Sequence, residues 1–136
     1  MSKEKVMELI AKVPTCFMAT IEGKAPHVRP MVINVVWEQK IYGSTFLKSR
    51  KVGQLKKNAL TEIVWMDDKM RHVRISGKAS IINDEALRNK YFKQKEASLK
   101  EYFSGPTDPN YGLLEIVPEK IEFMDLGAHE YAEVKW

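Results

Sequence analysis

The sequence has a single cysteine, Cys16, and no Cys-x-x-Cys pair, so neither an internal disulfide nor a thiolate metal cage can staple it. Its three histidines, His27, His72 and His129, are too scattered to form a triad of ligands, and no metal site is expected. No apolar run approaches the roughly eighteen residues of a membrane-spanning helix. The charged, amphipathic start MSKEKVMELIAKVP lacks the apolar core and small-residue cleavage site of a signal peptide. A cytoplasmic protein without membrane attachment is expected. No Gly-x-Ser-x-Gly elbow presents a serine, and Cys16, with no adjacent histidine, reads as a small core residue. Hydrolytic and thiol chemistry therefore lack support, and no catalytic residue can be named.

What is present is an ordinary globular composition: 136 residues, 44% hydrophobic and 29% charged, which suits one domain over residues 1–136. A chain of this size can bury roughly two-thirds of its unfolded surface, enough for a core without staples. No repeat or low-complexity linker divides it. The net charge of +4 is unevenly spread. Residues 48–57, KSRKVGQLKK, hold five cations and no acid, whereas the last segment is acidic through Glu115, Glu119, Glu122, Asp125, Glu130 and Glu133. A local cationic site suits an anionic ligand better than a uniformly basic surface does.

Val6, Leu9, Ile10 and Val13 recur at helical spacing until Pro14, which predicts a helix over 3–13. Strands are expected over 15–21, over the run His27 to Trp37 and over Lys40 to Phe46, with Pro30 marking an edge or bulge because it cannot donate to a ladder. Ser49 is placed to cap a short helix whose apolar line is Val52, Leu55 and Ala59. Leu60 to Met66 reads as a strand and Asp67-Asp68-Lys69 as a turn. From Met70 to Ile81 the alternation puts Val73, Ile75, Ala79 and Ile81 on a dry face and His72, Arg74, Ser76 and Lys78 on a wet one. A long helix from Asp84 to Tyr102 and strands 113–117 and 120–124 around Pro118 complete the pattern. Six or so strands joined by short turns imply an α+β protein whose antiparallel sheet closes as a barrel with flanking helices.

The segment YGSTFLKSRKVGQL brings the hydroxyls of Ser44, Thr45 and Ser49 next to Arg50 and Lys51 where a strand runs into a helix start. A phosphate fits such a place, gripped by a guanidinium fork, an ammonium and free backbone amides. Composition alone leaves a solvated helix with a cationic first turn as the other reading. The string Ser49-Arg50-Lys51 after Ser44-Thr45, then Leu55 and Asn58 before a strand ending at Trp65, resembles the pyridoxamine 5′-phosphate oxidase family and its FMN-binding split-barrel relatives. Arg71-His72-Val73-Arg74-Ile75-Ser76-Gly77-Lys78-Ala79 is similar to that family's Arg-Gln-Val strand, with His72 in place of the glutamine. Pro26-His27-Val28-Arg29-Pro30-Met31 is similar to the strand that small members set beside the flavin.

The resemblance implies an antiparallel split β-barrel that binds FMN. Ser49, Arg50 and Lys51 would hold the phosphate. Arg29, Pro30 and Met31 would lie along the ring and ribityl chain, with Ser44 and Thr45 beside them. It also implies a homodimer whose flavin sites lie at the subunit interface, so that His72 and Trp65 reach the cofactor from the partner chain. The implied activity is that of a flavin-dependent oxidoreductase exchanging electrons with a small-molecule donor and acceptor of unassigned identity. The full oxidase carries Pro-x-x-x-Glu-Phe-Trp and an Arg-x-His element. Here Pro118 to Met124 ends in methionine and LGAHEYAEVKW holds no Arg-x-His, so a true pyridoxamine 5′-phosphate oxidase is not expected. A non-enzymatic flavin- or haem-binding module and a deazaflavin cofactor stay open as alternatives, and nucleic acid is not expected as a partner.

Overall fold

The structure is a computed structural model describing residues 2–136. In chain order its elements are α1 (Lys3–Lys12), β1 (Cys16–Glu22), β2 (Ala25–Met31), β3 (Ile33–Trp37), β4 (Lys40–Phe46), α2 (Arg50–Lys57), β5 (Leu60–Met66), β6 (His72–Ile82), α3 (Glu85–Gln94), α4 (Glu96–Leu99), β7 (Tyr111–Met124) and β8 (Ala132–Val134). Among the described residues no helix is long and apolar enough to cross a membrane.

The sheet is antiparallel in the order β2-β1-β5-β6-β7-β4-β3, and β8 pairs with β7. Its two edge strands, β2 and β3, follow one another in the chain with only Val32 between them. Consecutive Cα atoms lie about 3.8 Å apart, so the sheet must curl until its ends nearly meet. β2 and β3 are not hydrogen-bonded to each other, which leaves the barrel split along that seam. The expected split barrel with flanking helices is therefore the fold.

The run His27 to Trp37, expected as one strand, is two. Arg29 and Met31 lie on β2, whereas Ile33, Val35 and Trp37 belong to the opposite edge of the sheet. Pro30 sits on the edge strand β2, the kind of strand to which a residue without an N–H is confined in a sheet. The expected helix from Asp84 to Tyr102 breaks at Lys95 into α3 and α4. The two short strands around Pro118 are one, β7, which absorbs Glu119 as an extra residue where Ser76 pairs with Lys120 and Gly77 with Pro118. A Cβ on Gly77 would collide with the Val117 carbonyl oxygen, so the backbones can approach this closely only over glycine.

β6 follows its expected alternation, with Val73, Ile75 and Ala79 buried. These side chains join Met18, Ile63 and Ile121 in the barrel interior, which α1 plugs with Val6, Leu9 and Ile10. A second apolar cluster lies outside the barrel, where Tyr91, Phe92, Leu99 and Phe103 pack on Tyr42, Tyr111 and Leu113.

The β3–β4 hairpin turns on Glu38 and Gln39, both in the left-handed region at φ 48° and 67°. A two-residue turn of this hand favours Asn-Gly, because side chains are strained there. Gln39→Gly is expected to stabilise the fold by about 0.5–1 kcal/mol, read as a higher urea midpoint with an unchanged slope.

Candidate functional site

The end of β4 turns sharply into α2, with the Ser49 N–H donating to the Phe46 carbonyl at 3.0 Å. Ser49 occupies the N-cap position, yet its hydroxyl makes no capping bond. Its Oγ accepts instead from Lys51 Nζ at 3.2 Å and lies 3.4 Å from Thr45 Oγ1, which also accepts from Lys51 Nζ at 3.0 Å. Two hydroxyls and an ammonium thus converge beside the free amides of a helix start, where the backbone dipole favours negative charge.

Val52 and Leu55 bury the inner face of α2, and Gln54 is buried beside them. Its Oε1 accepts from Thr20 Oγ1 at 2.5 Å and from Arg29 Nη2 at 3.2 Å, while its Nε2 donates to Glu22 at 3.1 Å. Arg29 also donates from Nη1 to the Met18 carbonyl at 3.1 Å. Gln54 therefore fixes the Arg29 guanidinium on β2 to the same helix that carries Arg50 and Lys51.

Among the described residues none of these three cations forms an ion pair. Burial holds the Lys51 ammonium below the ordinary lysine range, and repulsion from Arg29 adds to it. Arg29 is lowered in the same way, by burial and then by Arg50. Three positive charges without a carboxylate partner give this part of the surface an electrostatic preference for anions.

Two clefts meet at Lys51. A polar one of about 250 Å³ is lined by His27, Arg29, Ser49, Arg50, Lys51 and Gln54. An apolar one of about 440 Å³ lies between Pro30, Met31 and Val32 on one side and Phe46, Tyr102 and Phe103 on the other, with Ser44, Thr45 and Lys51 also on its lining. The predicted residues Arg29, Pro30, Met31, Ser44, Thr45, Ser49, Arg50 and Lys51 are thus brought together.

Trp65 is not among them. It is fully buried, and its ring N–H donates to the Ile33 carbonyl at 2.7 Å, so it has no surface to offer a ligand of either subunit. His72 lies apart from the clefts on β6, where its Nε2 is hydrogen-bonded to the Tyr131 hydroxyl at 2.8 Å and Tyr131 stacks on the Arg74 guanidinium at 4.0 Å. Cys16 is the core residue expected: burial pushes its thiol up to about 12.

Sequence reasoning missed Gln54, Phe46, Tyr102 and Phe103. Gln54 carried a signal, since it lies three and four residues after Lys51 and Arg50 and so on their face of the helix. The two residues after α4 carried none, because only the fold brings them to β4.

The sequence profile of the family described as "Pyridoxamine 5'-phosphate oxidase" matches residues 2–125. General stress protein 26 of Bacillus subtilis strain 168 is 30% identical over 129 residues, covering 92% of this chain and 89% of that protein. The crystal structure of General Stress Protein 26 from Bacillus anthracis strain Sterne superimposes with a TM-score of 0.80 at 27% identity, covering 96% of this chain and 97% of that one. A pyridoxamine 5'-phosphate oxidase-related, FMN binding protein from Nostoc punctiforme PCC 73102 shares the fold, with a TM-score of 0.76 at 16% identity over 96% of this chain and 88% of its own. Matched over most of its length by the family profile and by the Bacillus subtilis relative, the chain belongs to the pyridoxamine 5'-phosphate oxidase family.

Proposed function

We propose that the chain binds FMN and acts as a flavin-dependent oxidoreductase. The observation that carries this reading is the polar cleft that Arg29, Arg50 and Lys51 line together with Ser49 and without a carboxylate, where Lys51 also reaches the Thr45 hydroxyl. The donor set fits a phosphate monoester: a guanidinium can take two oxygens, an ammonium one, and the start of α2 offers amides. Lys51 borders the polar cleft and the apolar one, so a molecule with a phosphate at one end and a flat ring at the other matches the pair.

Bound FMN supplies hydride and electron transfer, which explains how a site without a catalytic triad or carboxylate pair can be an enzyme's. The chain's own residues do the rest. Gln54 orients Arg29; Thr45 and Ser49 orient Lys51; Pro30, Met31 and Phe46 exclude water from the ring end.

A homodimer belongs to the same proposal. The outer face of β1 and β5 exposes Phe17, Leu60 and Met66 around the Glu62–Arg74 ion pair, a surface that a second copy would cover, and His72 lies on the neighbouring strand facing the same way. A cytoplasmic location accords with a chain whose single, buried cysteine can form no internal disulfide.

The purified protein is expected to be yellow, with FMN identified by mass after heat release, and to bleach with a nicotinamide or other two-electron donor under anaerobic conditions. A colourless protein that takes up no added FMN would overturn the reading. A yellow protein that no donor reduces would make it a flavin-binding module.

A further inference from the structure

The wall of the polar cleft opposite α2 is the hairpin of β1 and β2. Thr20 pairs with His27 across that hairpin, and Met18 with Arg29. Because side chains alternate along a strand, His27 and Arg29 share one face of β2, and Thr20 and Glu22 share the matching face of β1. This face looks onto α2, where Gln54 accepts from Thr20 and Arg29 and donates to Glu22. His27 thus belongs to the same wall as Arg29, and both line the cleft with Ser49, Arg50, Lys51 and Gln54.

The carboxylate nearest His27 is that of Glu22. It accepts from the Gln54 amide at 3.1 Å, but lies 3.9 Å from His27 Nε2, too far for a hydrogen bond. The His27 side chain is 44% exposed. An exposed pair of that length restrains the ring weakly, so the imidazole can face an anion in the cleft instead.

We propose that His27 is a fourth cationic ligand of the anion held here, and that it joins only when protonated, so that the grip on the phosphate tightens as pH falls through the histidine range. This rests on the reading that the cleft holds the phosphate of FMN. The arriving anion offsets the repulsion that Arg29, Arg50 and Lys51 exert on a further positive charge, while Glu22 attracts that charge from the hairpin side. Anion binding and protonation of the ring therefore promote each other.

The phosphate of FMN takes up a proton of its own near about pH 6. The test therefore uses riboflavin 5′-sulfate, whose ester stays a monoanion, and uncharged riboflavin, each titrated by fluorescence into the full chain freed of flavin. Histidines take up a proton between about pH 8 and about pH 5.5. Over that interval the wild type is expected to gain about twofold to fivefold in affinity for the sulfate ester, the scale of a half-exposed charge contact, and nothing for riboflavin. His27→Gln keeps a polar side chain that cannot be charged, and is expected to match the wild type at the alkaline end and show no gain toward acid. His27→Lys is charged throughout and is expected to bind the ester equally at both ends. Because the side chain is half-exposed on an edge strand, both variants are expected to keep the wild-type urea midpoint.

Three results would overturn the proposal: no gain in a wild type that binds FMN, a gain that persists in His27→Gln and so belongs to another group, or an equal gain for riboflavin, which carries no anion. A wild-type chain that binds neither FMN nor the ester overturns the flavin reading instead. Calorimetry with inorganic sulfate, on wild type and His27→Gln over the same interval, then decides the role of His27 by itself: tighter binding toward acid in the wild type alone supports it, and any other result overturns it.

Discussion

Replacing Trp65 with alanine is expected to lower the stability of the fold by about 3–5 kcal/mol, the cost of emptying a large aromatic side chain from a packed core. Trp65 is completely inaccessible and lies among the barrel's interior residues, so a collapse around the hole cannot be shared with solvent. Part of the loss comes from elsewhere. The Ile33 carbonyl, which accepts from the indole N–H at 2.7 Å, sits just after Val32, where the chain crosses from one edge of the sheet to the other. β3 shifts register between Ile33 and Val35, and the indole holds the strand there. Trp65→Phe keeps most of the volume but orphans that carbonyl, for an expected loss of about 1–3 kcal/mol. Urea unfolding of both variants checks the pair. Trp65→Phe is expected to retain the FMN affinity of the wild type, because the ring touches the site only through the crossing that positions Pro30, Met31 and Val32.

That crossing also marks the limit of what a sequence displays. Alternation from His27 to Trp37 reports which side chains share a face, and it runs through Val32 almost undisturbed. It says nothing about which strand each half pairs with, so two strands at opposite edges of the sheet read as one. β6 was legible because its wet and dry faces stay in phase over eleven residues, and the extra residue of the bulge falls on β7 instead. The break at Lys95 has no glycine or proline to announce it; the chain bends there and tucks Leu99 and Phe103 under the second cluster.

The site divides along the same line. Ser49, Arg50 and Lys51 were visible because hydroxyls and cations crowd a helix start, a local feature. Gln54 was not, since its partners Arg29 and Thr20 lie 25 and 34 residues away. Trp65 was misplaced because an aromatic residue in a strand looks the same whether it faces a ligand or a core.

Lys51→Met is expected to weaken FMN by about tenfold to a hundredfold, the loss of one charge-assisted contact of roughly 1.5–3 kcal/mol, while the flavin-free protein becomes no less stable. Methionine keeps the apolar stem of lysine on the lining of the cleft, and only the ammonium with its bonds to Thr45 and Ser49 is removed. In the free protein that ammonium is a burden: half-buried, beside Arg29 and without an acid, it is held below the ordinary lysine range. The folded state releases this proton more easily than the unfolded chain, whose lysine titrates near about 10.4. Between the depressed value and that limit the unfolded chain binds more protons, so the stability of the flavin-free protein rises with pH across the window. FMN affinity moves oppositely, because a neutral amine no longer attracts the phosphate. Wild type should therefore show a rising stability contribution and a falling flavin affinity over the same alkaline interval, with both slopes reduced together in Lys51→Met. Urea midpoints of the stripped proteins and fluorescence titrations with FMN, taken in one buffer series, read both. If the two slopes persist in the variant, Lys51 is not the group that links them, and the phosphate does not lie against it.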